Sequence, residues 1–192
     1  LVVVVDLSGS MHRAGRLPLF RRTFSRLYRG GGSIAVVAAA PDETRFLLLE
    51  GDDSRAAAIA AVAGLEKLPE KAPDHAPVAL ACRLARRLRT AGRECRIVVV
   101  TDTTLSALAN PSADLAALVR DTASHGIQIQ TLRFGPQSTR DAPAPGGLTV
   151  TPVNNVADAL TAVAGAIGSP WQPVAGNADV RVEFNPNQVT AY

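Results

Sequence analysis

The chain has 192 residues, 47% of them hydrophobic but only 4% aromatic, and a net charge of +3. That length and apolar fraction suit one globular domain whose core is mostly Val, Leu, Ile and Ala. The charge is too small to demand an anionic partner, and no run of about 18 or more apolar residues reads as a membrane-spanning helix.

Leu1 to Val5 is a β-branched run of the kind found in central strands buried on both faces. It opens without an initiator methionine, so the chain is expected to be a fragment or a processed product. Asp6-Leu7-Ser8-Gly9-Ser10-Met11 follows directly. A helix is expected over Leu17 to Tyr28, with Pro18 tolerated in its first turn and Gly30 to Gly32 ending it. Leu17, Phe20, Phe24, Leu27 and Tyr28 fall at helical spacing, which puts most of Arg13, Arg16, Arg21, Arg22, Arg26 and Arg29 on a solvated face rather than a nucleic-acid surface. No aromatic interleaving supports a single-strand platform. Ser33 to Ala40 and Thr44 to Leu49 read as strands joined at Pro41-Asp42-Glu43, a hairpin at the sheet edge with the second strand antiparallel.

Ser54 is placed to cap a helix through about Leu68, and Pro77 to open another through about Leu88. Cys95 to Thr101 is a second buried strand, again ending at a carboxylate, Asp102. Asn110-Pro111-Ser112 introduces a helix near Ala113 to Ser124, closed by Gly126, and Ile127 to Phe134 follows as a strand. Gly135 to Gly147 has no helical period. Leu148 to Val153 is expected as the last strand, and Asn155 caps a helix over Val156 to Ile167 with Asp158 in its first turn. This alternation predicts an α/β fold: a doubly wound, mostly parallel, Rossmann-like sheet with helices on both faces and one antiparallel edge strand. A ligand site is expected beyond the strand C-termini, where Asp6 and Asp102 both fall.

Cys82 and Cys95 lack metal-ligand spacing and read first as two buried thiols, with a disulfide as the alternative that spacing leaves open. His125, before Gly126 at a helix end, suits a capping role. His12 and His75 border the oxygen-rich loops, but a hard cation prefers oxygen to imidazole.

A carboxylate and two hydroxyls spaced two apart, behind a buried strand, outline a divalent-cation site. Mg²⁺ takes near-octahedral oxygen coordination at about 2.0–2.1 Å and keeps several waters. Two neutral hydroxyls leave such an ion electron-poor, open to one more anionic oxygen from another molecule. Gly9 lets the loop turn so that both serines face the ion.

The DxSxSM pattern of Asp6 to Met11 resembles the metal-ion-dependent adhesion site of von Willebrand factor A (vWA) domains. Val100-Thr101-Asp102 is similar to the family's TD(G) motif, with Thr103 in place of glycine. The tail Val182-Glu183-Phe184-Asn185-Pro186 to Tyr192 resembles the segment that follows the vWA domain in bacterial YfbK-like proteins. The resemblance implies a vWA domain over residues 1–168, and over 169–192 a linker and strand that begin a truncated following region.

The resemblance also implies metal ligands Asp6, Ser8, Ser10 and Asp102, with the two aspartates ligating directly or through water, and Mg²⁺, Mn²⁺ or Ca²⁺ as the ion. The family's second loop supplies a threonine that this chain lacks. One alignment, through Pro77 and the helix after it, puts Ala76 there and removes a ligand. Another, counted from Leu65 to Leu68, puts Asp74 there and adds a negative charge that partly quenches the ion.

The expected function is a non-enzymatic protein-interaction module that binds a partner's Asp or Glu through the ion, with an extracytoplasmic location favoured by family resemblance. The alternative is a metal-free vWA scaffold in which the motif is a hydrogen-bond cluster. A Mg²⁺-dependent phosphohydrolase is the third reading. Ser8 stands where such enzymes of the haloacid-dehalogenase type want a second aspartate, and no glycine-rich phosphate loop occurs.

Overall fold

The computed structural model describes residues 1–51, 54–73, 76–89, 94–109, 114–135 and 148–168. Its centre is the pair of apolar runs. Strand β1, Val2–Asp6, lies between β2, Ile34–Ala39, and β5, Cys95–Thr101, and is parallel to both. Every residue of β1 is buried. Its side chains alternate between two cores. Val3 and Val5 pack with Phe20 and Phe24 of helix α2 (Arg16–Leu27), Val62 of α3 (Arg55–Ala63) and Val163 of α7 (Val156–Ala166). Val2 and Val4 pack with Val78, Ala81 and Ala85 of α4 (Pro77–Leu88) on the other face. A strand enclosed on both faces has no polar alternation to show, and this is why the run is continuously apolar.

The sheet has the order β4-β3-β2-β1-β5-β6-β7. On one side β5 is followed by the parallel strands β6, Ile127–Phe134, and β7, Thr149–Val153, which contains Pro152. On the other side β3, Thr44–Leu49, returns antiparallel to β2 through the turn at Pro41 to Glu43, closed by the Ala40 N–H donating to the Glu43 carbonyl at 3.0 Å. The sequence puts β3 at the margin. Instead two exposed residues, β4 at Glu70–Lys71, pair beyond it. The doubly wound, mostly parallel sheet is otherwise as expected.

Several local expectations are refined. The helix after Ser54 stops at Ala63, where Gly64 leads into a 3₁₀ turn at Leu65–Lys67. Ser54 does not cap it, because its hydroxyl donates to the Gly32 carbonyl at 3.0 Å. Helix α6 begins at Leu115 and ends at Ser124, and its cap is Asp114, whose carboxylate accepts the Ala117 N–H at 3.1 Å. Asn155 caps α7 as expected, accepting the Asp158 N–H at 2.9 Å, while Asp158 accepts the Asn154 N–H at 3.0 Å. His125 sits at the C-cap of α6 with Nδ1 2.6 Å from the Asp121 carbonyl.

Cys82 and Cys95 are buried free thiols. On α2, Arg22 and Arg26 are exposed as the spacing requires. Arg21 instead pairs with Glu66 at 2.7 Å. The segment expected as a linker and strand, 169–192, lies outside the described residues.

Candidate metal-ion site

Because β1 and β5 are neighbours in parallel register, with Val5 opposite Val100, their C-terminal ends open at the same level of the sheet. Asp6, the last residue of β1, is 3% exposed. One carboxylate oxygen accepts the Ser8 N–H at 2.8 Å and the other accepts the Thr101 hydroxyl at 2.7 Å. A short helix α1, Gly9–Arg13, starts at once, and its Met11 is fully buried. The serine loop is therefore pinned at Asp6 behind and at Met11 ahead. Ser8 occupies the position before α1 without capping it, so its hydroxyl turns to Ser10, with Oγ to Oγ 3.0 Å. Ser10 in turn donates to Asp102 Oδ1 at 3.0 Å. Residues 8, 10 and 102 thus converge, and Asp6 lies directly beneath them.

The β5 loop is held by the same device. Thr101 Oγ accepts the Thr103 N–H at 3.0 Å, as Asp6 accepts that of Ser8. A further partner was not legible in the sequence. The guanidinium of Arg16, at the start of α2, donates to Asp102 Oδ2. The Arg16 side chain is 25% exposed and that of Asp102 only 3%. Gly135, just past β6, leaves room for this contact, since a Cβ there would stand 2.7 Å from Arg16 Nη2. Thr101 and Thr103 were discoverable, because Thr-x-Thr repeats the i, i+2 spacing of Asp-x-Ser. Arg16 was not, being one of several arginines along a helix.

At the second loop Ala76 is 1% exposed and precedes Pro77, the first residue of α4. It brings no side-chain oxygen. Asp74, the other candidate at this loop, and His75 lie outside the described residues. His12 is exposed and faces a different cavity, shared with Glu43, Arg45 and Glu66.

The donor set suits a hard cation rather than a soft one: hydroxyl and carboxylate oxygens, with no group of three or more His, Cys, Asp or Glu among the described residues that would hold a metal by themselves. Beside the serines a cavity of about 400 Å³ opens between Asp6, Ser8, Pro41, Pro77, Thr103 and Leu108.

The fold has counterparts among solved structures. An aerotolerance-related membrane protein of Bacteroides fragilis matches with a TM-score of 0.57 at 18% identity, over 87% of this chain and 97% of the other. BatB of Bacteroides thetaiotaomicron matches at 0.59 and 19% identity, over 87% and 96%. Proximal thread matrix protein 1 of the mussel byssus, in a form with a zinc-occupied MIDAS motif, matches at 0.55 and 11% identity, over 86% of this chain and 46% of that one. The fold is that of a vWA domain. No protein-family model and no curated protein sequence matches the chain.

Proposed function

We propose that this vWA domain is a non-enzymatic protein-interaction module that binds a carboxylate of a partner protein at the end of β1 and β5. The observation that carries this reading is the convergence of Ser8, Ser10 and Asp102 at one point above Asp6. Ser8, Ser10 and Asp102 offer direct oxygen ligands to Mg²⁺ or Mn²⁺. Asp6, with both oxygens already accepting hydrogen bonds, orients the serine loop and contributes through water. A bound divalent ion supplies the positive charge that a partner's Asp or Glu completes. The adjoining cavity, walled by Pro41, Pro77 and Leu108, gives the neighbouring side chains of that partner an apolar surface. The mussel relative's zinc-occupied motif supports the metal. The membrane and adhesion proteins among the structural counterparts favour an extracytoplasmic setting.

A phosphohydrolase is the weaker reading, because Ser8 stands where such an enzyme needs a second acid two residues after its nucleophile.

The experiment is thermal unfolding against free Mg²⁺ or Mn²⁺. A live site raises the midpoint with the logarithm of free ion, and Ser10→Ala removes the rise. A rise that survives Ser8→Ala/Ser10→Ala puts the ion elsewhere. The metal-free scaffold is favoured by one specific observation, the Arg16 to Asp102 ion pair, and it gives no rise with any ion.

A further inference from the structure

We infer that Arg16 is a built-in counter-cation of this site, which competes with a divalent ion for Asp102 and so sets whether the site is open. The inference rests on the proposed reading of Ser8, Ser10 and Asp102 as ligands.

A carboxylate whose side chain is 3% exposed needs a cation or several donors in place of the water it has lost. Ser10 satisfies one oxygen of Asp102 and Arg16 the other. Three residues set where the guanidinium lies. Gly15, in the left-handed region at φ 67°, turns the chain so that Arg16 begins α2, and fully buried Leu17 fixes the backbone next to it. Across the gap, Gly135 at φ +115° offers no side chain; a Cβ would approach Cζ of Arg16 to 2.9 Å. Yet a quarter of the Arg16 side chain remains in contact with solvent, so the guanidinium has a way out.

With Arg16 in place, two aspartates and one guanidinium leave the cluster at a formal −1, and a divalent ion on Ser10 and Asp102 meets a fixed positive charge beside its ligand. Without Arg16 the same oxygens carry −2. Ion binding therefore requires the guanidinium to swing outward. The released Arg16 then lies on the rim of the site, placed to receive an acidic group of the same partner.

Calorimetric and thermal-unfolding titrations with Mn²⁺ alone test this on the whole chain. Arg16→Gln is expected to lower the midpoint without metal and to tighten Mn²⁺ by about tenfold or more, within the usual range of coupling between two sites. Adding Ser10→Ala to Arg16→Gln removes the gain. Arg16→Lys, which keeps the charge but not the fork, falls between wild type and Arg16→Gln, and serves if the glutamine variant folds poorly. Gly135→Ala crowds the guanidinium and tightens Mn²⁺ in the wild-type background but not on top of Arg16→Gln, whatever its strain does to stability. Equal Mn²⁺ affinity in wild type and the Arg16 variants overturns the competition while leaving the metal reading intact. Absence of Mn²⁺ binding in the wild type and in every Arg16 variant overturns both.

Discussion

The β1 loop and the β5 loop each begin with a side-chain oxygen that accepts the backbone N–H two residues on, Asp6 to Ser8 at 2.8 Å and Thr101 to Thr103 at 3.0 Å. They differ in what the carboxylate does. Asp6 forms part of the turn itself, with both oxygens committed to Ser8 and Thr101. Asp102 stands one residue past the turn-forming Thr101, so its oxygens reach outward to Ser10 and Arg16, groups from other parts of the chain. Two aspartates at the ends of adjacent strands are thus unlike in kind: one builds the turns, and the other bonds to groups from distant parts of the chain. The threonine that precedes Asp102 makes the difference, because it performs for β5 the duty that Asp6 performs for β1.

The same substitution at both positions breaks or upholds that distinction. Asp6→Asn turns an N–H₂ toward either the Ser8 N–H or the Thr101 hydroxyl in a buried place, and about 2–3 kcal/mol of stability should be lost in urea unfolding. A loss no larger than that of Asp102→Asn would mean that Asp6 is not the keystone. Thr101→Val keeps the shape but removes the oxygen shared between the two loops, at a cost of about 1–2 kcal/mol. Coupling between Thr101→Val and Asp6→Asn in a double-mutant cycle is expected, and simple additivity would separate the loops energetically.

Asp102→Asn retains an acceptor for Ser10 and gives up an ion pair that is partly solvated on the arginine side. About 0.5–1 kcal/mol is expected, shrinking further in high salt. An unchanged loss at high salt would argue that the pair is sealed from solvent.

The smallest effect lies at the opposite end of β5 and in the helix over it. Burial pushes the Cys95 and Cys82 thiols up from 9.0. For an acid raised in the folded state, the associated stability is fully present below the unfolded value of 9.0 and is lost as pH rises through the folded one. Denaturation midpoints should therefore hold up to about pH 9 and fall above it, and Cys82→Ala/Cys95→Ala should flatten the alkaline decline. A decline of equal steepness in that variant would assign it to other groups.

The fold was legible wherever burial is two-sided or a cap is explicit. The Val runs gave β1 and β5, Pro77 the start of α4, and Asn155 the start of α7, because each imposes a local physical requirement. β4 was not legible: Glu70 and Lys71 are exposed and carry no alternation, and the pairing is held by backbone groups such as the Ala72 N–H donating to the Thr44 carbonyl at 2.8 Å. The four-residue helix α5, Leu105–Leu108, is too short to display a period. Ser54 misled because its hydroxyl answers a carbonyl 22 residues away rather than its own helix.

Asp6, Ser8 and Ser10 form one local pattern and Asp102 ends a second apolar strand, so that they come together was legible. The Arg16 contact depends on the angle at which α2 leaves Gly15 and on the space at Gly135, two positions 120 residues apart that no local spacing connects.

The two margins of the sheet bear on how this domain meets other molecules. β4 is two residues long and charged, with Lys71 3.3 Å from Glu43, and β7 carries Pro152, which has no N–H to offer. Among the described residues these are the outermost strands, and both features disfavour the pairing of a further strand there. On the proposed reading this leaves the loop end, where contacts are made by side chains, as the surface open to a partner.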